Sequence, residues 1–182
     1  MISRVVTVGG PPGSGKSTAC RRVASAWGLE YTSAGQLFRA EARARGLDLE
    51  AFGRYAEAHP EIDRSLDDRM GALARPGALL EGRIQGALCR RRGVPVYDLL
   101  VTASLPVRVR RVAERDHQSP EDAESAIVSR EASERSRYAR HYGIDVDREP
   151  VDYALDTSEL PPDEVARRIG EFLGSREAEI PR

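Results

Sequence analysis

Apolar positions along this chain recur with two different periods. Short β-branched and aliphatic runs at 5–8, 29–32, 78–81, 96–103 and 153–156 read as strands. Between them, apolar residues fall three and four apart, the spacing of one helical face. That spacing predicts helices over 19–27, 34–45, 84–92, 106–116 and 162–173, with more polar helices over 48–58, 60–73 and 119–142. Boundary residues agree. Gly28, Gly46, Gly93 and Gly143 follow predicted helix ends, Asp48 and Ser119 stand at N-caps, and Pro60 takes a first helical position. Pro76 and Gly77 break the chain before the third strand, and the residues after 173 read as frayed.

Strands alternating with helices imply an α/β fold: a five-stranded parallel sheet with helices on both faces. Two segments exceed such a sheet, a helical insertion at about 45–75 and the charged helix at 119–142. A solvated face is the simplest reading of most of their charges. Trp27 and Phe38 read as core.

Composition narrows the class. The 182 residues suit one domain spanning 1–182. With 40% hydrophobic and 31% charged residues the chain is not of the disordered type. A net charge of −1 argues against a nucleic-acid coat, which needs a basic excess. No apolar run approaches the ~20 residues that span a bilayer. The strand-like start at Ile2 leaves no room for a signal peptide, and no glycine follows Met1 for acylation. Cys20 and Cys89 form neither a disulfide framework nor a metal motif, so a reduced cytoplasm is expected; Cys20 reads as helix packing. His59, His117 and His141 lack ligand spacing and read as solvated or capping.

Of the 28 basic residues all but one are arginine, and the single lysine is Lys16. It lies in the run Gly10, Pro11, Pro12, Gly13, Ser14, Gly15, Lys16, Ser17, Thr18, which fits G-x-x-x-x-G-K-[ST] between a strand and a helix. Glycines let successive N–H groups turn inward on phosphate oxygens, and the helix N-terminus behind them adds partial positive charge. A compact ammonium reaches β- and γ-phosphate oxygens where a guanidinium would collide with the loop. Ser17 offers its hydroxyl to Mg²⁺, and Thr18 reaches toward the α-phosphate. ATP and Mg²⁺ are therefore expected. A dinucleotide site is the weaker reading, given the lysine in the turn and the missing third glycine. A GTP switch would need a second lysine for N-K-x-D, and transporter or helicase motifs are not found; a small kinase remains.

From residue 5 to about 172 the chain resembles the short nucleoside monophosphate kinases, and within them cytidylate kinases of the archaeal type. The resemblance lies in Tyr31-Thr32-Ser33-Ala34-Gly35-Gln36-Leu37-Phe38-Arg39, in Ala56-Glu57-Ala58-His59-Pro60-Glu61-Ile62-Asp63, and in Leu80-Glu81-Gly82-Arg83. It continues through Arg111-Val112-Ala113-Glu114-Arg115, the arginine-rich segment from Ser129 to Arg137, and Tyr142-Gly143-Ile144-Asp145. It departs at Glu81, where bacterial relatives carry Asp, and at Ile84, where they carry a base-reading aspartate.

The resemblance implies an acceptor-binding insertion at about 34–75, a lid at about 115–142, and transfer of the ATP γ-phosphoryl to CMP or dCMP by a monomer. The accepting oxygen is already ionised near neutrality, so no general base is needed; the difficulty is electrostatic, and arginines suit it. The acceptor would lie among Ser33, Gly35, Arg39, Asp63, Gly82, Arg83, Arg130, Glu134 and Arg137. Arg39 and Arg83 would grip its phosphate, joined by Arg137. Arg115 and Arg130 would close over the transferring group with Lys16, Arg111 would stack on adenine, and Ser17 and Glu81 would serve the metal. Lid closure would exclude water. A carboxylate that accepts from cytosine N4 would be Asp63, Asp67, Asp68 or Glu134, the resemblance favouring Glu134 with Arg130. Arg135, Arg140 and the run Arg90-Arg91-Arg92 read as solvated. Two alternatives stay open: a P-loop kinase for another nucleotide or for a hydroxyl acceptor, with Asp63 or Asp68 as base, and a non-catalytic ATP-dependent switch.

Overall fold

The computed structural model describes residues 2–179. In chain order the elements are β1 (Val5–Gly9), α1 (Lys16–Trp27), β2 (Glu30–Ser33), α2 (Ala34–Ala44), α3 (Leu49–Ala58), α4 (Pro60–Ala72) and β3 (Ala78–Glu81). Then follow α5 (Gln85–Arg91), β4 (Val96–Thr102), α6 (Leu105–Asp116), α7 (Pro120–Tyr142), β5 (Tyr153–Asp156) and α8 (Pro162–Ala178). The five strands are parallel in the order β2-β3-β1-β4-β5.

Period-two alternation divides the core. Val6 and Val8 of β1 face one side with Leu79, Leu99 and Val101, where α1 and α8 cover them. Val5, Leu80 and Val96 face the other, against Met70 of α4 and Cys89 of α5. Burying a Leu or Val side chain contributes about 1.5–3 kcal/mol, so these two layers are what hold the sheet. A satellite core of Phe52, Ala56, Ile62 and Leu66 joins α3 and α4 to Phe38 of α2. Asp48 and Ser119 accept from the amides of Ala51 and Asp122, as N-caps do.

Four expectations change. The last helix does not fray at 173 but runs to Ala178, because Trp27 lies along Gly170 and Gly174 and Glu177 accepts from Ser3. Trp27 itself is 39% exposed, a cover over α8 rather than core. The first helix starts at Lys16, three residues before its apolar pattern, since the glycine loop runs straight into it. Within β4 the buried Asp98 faces away from α1; it accepts from Thr7 Oγ1 at 2.7 Å and pairs with Arg90 at 2.6 Å, so Arg90 is not simply solvated.

Candidate active site

Much of the expected chemistry gathers at the carboxyl end of the sheet, where Glu81 at the end of β3 stands in register with Val8 of β1 and with Ser33 at the end of β2. Gly10 has φ 141°, and a Cβ there would stand 2.0 Å from the Val101 carbonyl oxygen. Only glycine lets the loop pass so close to β4. The loop curls back on itself through Ser14 N–H to Pro11 O at 3.3 Å. Lys16 Nζ donates to that same carbonyl at 2.7 Å. Burial pulls the ammonium down to about pKa 8; Glu81 opposes this, and Arg130 and Arg83 add to it. Ser14 Oγ is buried without a hydrogen-bond partner. An orphaned hydroxyl in a glycine loop that leads into a helix N-terminus fits a polyanion.

Glu81 links two elements. Its Oε1 accepts from Ser17 Oγ at 2.7 Å, and its other oxygen accepts from the Tyr31 hydroxyl. The extra methylene that distinguishes it from Asp is what spans β3 to both. Oxygen donors of this kind, a hydroxyl and a carboxylate, suit a hard cation such as Mg²⁺. Among the described residues no cluster of three or more His, Cys, Asp or Glu could hold a metal by itself. Tyr31 was not singled out by the sequence; burial and Glu81 push its phenol well above the ordinary range.

Facing Lys16, Glu134 of α7 is held at 3.1 Å by Arg83 Nε and at 2.7 Å by Arg130 Nε. Burial works against its ionisation, but Arg130 and Arg83 outweigh it and keep the carboxyl below its usual range. A Cβ on Gly35 would stand 3.5 Å from Arg39 Nη1, and burial together with the Arg130 charge pulls the Arg39 guanidinium down. Arg115 is turned onto Asp116 through two parallel bonds of 2.7 and 2.6 Å and is 62% exposed. Arg111 donates to Thr157 Oγ1 at 3.0 Å and Thr157 O at 2.7 Å, beside Gly15. Gly82 packs under the Gln85 side chain.

Other expected residues are arranged differently. Arg137 does not reach the cluster around Lys16; it is buried against Asp63 and lies over the Phe38 ring at 4.9 Å. Asp63 also takes His141 Nδ1 at 3.1 Å. His141 is therefore neither solvated nor a cap, because its ring fills the space between α4 and α7. Asp67 is buried and accepts from Tyr142 at 2.6 Å and Gln85 at 2.9 Å, whereas Asp68 faces solvent beside Arg92. The face of α7 carrying Glu131, Glu134 and Arg137 is buried, while Glu121, Asp122, Glu124, Arg135 and Arg140 are exposed, as expected for most charges of this helix. Arg108 and Glu131 were missed altogether. The signal for Arg108 was present, since it shares a helical face with Leu105, Val109 and Val112.

Comparison with known proteins agrees with this fold. The family model described as AAA domain matches residues 9–128. A cytidylate kinase of Methanopyrus kandleri is 42% identical over 172 residues, covering 90% of this chain and 89% of its own. One of Pyrococcus abyssi is 41% identical over 165 residues, 88% of each chain. Among solved structures, shikimate kinase of Acinetobacter baumannii superposes with TM-score 0.63 at 17% identity, over 96% of this chain and 94% of its own; that likeness is one of fold.

Proposed function

The chain belongs to the cytidylate kinase family and is a nucleoside monophosphate kinase that phosphorylates CMP; from that premise we propose how its residues divide the reaction, with ATP as donor. The observation that carries the proposal is the convergence of Arg83 and Arg130 on the Glu134 carboxylate, within range of the Lys16 charge. A pocket that needs an internal anion to neutralise its cations is built for anions. Lys16 and the loop amides bind the β- and γ-phosphates, and Ser17 and Glu81 would hold Mg²⁺. A metal held there would supply neutralisation of phosphate charge. Arg39 and Arg83 receive the acceptor phosphate. Arg130, and Arg115 once it leaves Asp116, stabilise charge on the transferring oxygens. Arg111, with its donors held by Thr157, presents its face to the base of ATP.

Arg137 is reassigned as a tie between α4 and α7, since Asp63 already occupies it. The same ion pair weakens the hydroxyl-acceptor reading. Asp63 is engaged by two partners and Asp68 is exposed, so neither stands ready as a base. Asp63, Asp67 and Glu134 remain the carboxylates near the acceptor side that a cytosine N4 could meet. Among the described residues no helix is long and apolar enough to cross a membrane. The two buried free cysteines accord with a reducing, cytoplasmic setting.

The test is a coupled ADP-release assay across CMP, dCMP, UMP, AMP, GMP and a set of sugars. Turnover is expected with CMP and dCMP. Turnover with another acceptor and none with these two would overturn the assignment.

A further inference from the structure

We infer that Arg108 and Glu131 are positioning residues: a buried guanidinium–carboxylate pair that locks the lid helix α7 to the phosphate loop and thereby sets where Arg130 stands over Lys16. The inference rests on the phosphoryl-transfer reading above. Arg108 lies on the buried face of α6 and makes three kinds of contact. Its Nε donates to Ala103 O at 3.1 Å, just past β4. Its Nη1 donates to Pro12 O at 3.3 Å, in the phosphate loop, and to Glu131 Oε1 at 2.6 Å, on α7. The two charged side chains are only 10% and 11% exposed.

The loop rests on this residue. A Cβ on Gly13 would stand 2.8 Å from Arg108 O and 2.9 Å from Arg108 Cβ, so the backbones are already in contact. On the other side, Glu131 is the neighbour of Arg130 and lies one turn before Glu134. One guanidinium thus joins the sheet end, the phosphate loop and the lid helix.

An ion pair is directional where an apolar contact is not. A buried pair often adds little to stability over well-packed apolar residues of similar volume. Its distinguishing effect here is on the rotation of α7. One residue of helical slip turns the helix by about 100° and would swing Arg130 away from Lys16. Misplacing a catalytic group by about 1 Å can lower turnover about 10²-fold.

The test is the double variant Arg108→Met/Glu131→Met, beside Glu131→Gln, in the full chain. Urea midpoints report folding, calorimetry reports ADP affinity, and steady-state assays report kcat, KM and the ADP released without CMP phosphorylated. The expected result is kcat about 10- to 100-fold lower for the double variant, ADP affinity within about threefold of wild type, and more ATP lost to water. Glu131→Gln is expected to move in the same direction by a smaller factor while remaining folded. A folded variant of either kind with wild-type kcat and wild-type coupling to CMP overturns the inference. Wild-type turnover with CMP tests the phosphoryl-transfer reading, whereas the variant-to-wild-type ratio tests this one.

Discussion

Ser17 Oγ donates to Glu81 Oε1 at 2.7 Å, joining the first turn of α1 to the last residue of β3. The two oxygens that would serve a metal are therefore fixed by different elements of the sheet edge. Glu81→Gln keeps the size and removes the charge. It is expected to lower activity about 10- to 100-fold, as loss of a group that supports a metal does. Raising Mg²⁺ should restore part of it, and a Mg²⁺ titration of initial rates measures both.

Lys16 gives a pH dependence of known sign. Burial brings it to about 8 in the free protein, against an ordinary 10.5. Above pH 8 the ammonium is lost, so ADP affinity should fall as pH rises, and Lys16→Met should abolish that slope along with turnover. Folding stability moves oppositely. Between 8 and 10.5 the unfolded chain holds the proton that the folded chain has released, so this group's contribution to stability rises with pH. Calorimetric ADP titrations and urea midpoints at pH 7 to 10 separate the two.

Arg130→Ala distinguishes a kinase from an ATP-dependent switch. An arginine over a transferring phosphoryl can be worth about 10³-fold or more in kcat. The variant should lose that much turnover and still bind ADP. Unchanged turnover would remove Arg130 from the mechanism, and the rate assay with CMP decides it.

Asp63 and Arg137 form an ion pair whose two side chains are each 5% exposed. Removing one partner leaves the other charge buried. Asp63→Asn is expected to destabilise the fold by about 3–5 kcal/mol, a loss read from urea denaturation. Arg137→Met with Asp63→Leu should recover much of it, because an apolar pair needs no partner for a stranded charge.

What the chain alone determined is what depends on near neighbours. The alternation of β1, the caps Asp48 and Ser119, Pro60 at the start of α4, and the glycine loop around Lys16 are each decided within about seven residues. Helical and strand periods are local, and a phosphate loop is a local backbone conformation. Ser17, Glu81, Arg83 and Arg130 were legible for a related reason: each sits at a strand end or on a marked helix, and their motifs carry the resemblance.

Tertiary structure alone decided which charges are buried and against what. Asp63 meets His141 from 78 positions away, Thr7 meets Asp98 from 91, and Arg108 meets the Pro12 carbonyl from 96. No periodicity spans such separations. An arginine in a polar helix looks the same whether it points into water or at a carboxylate on another element. Burying it is favourable only once that partner is in place, and only the folded chain puts it there.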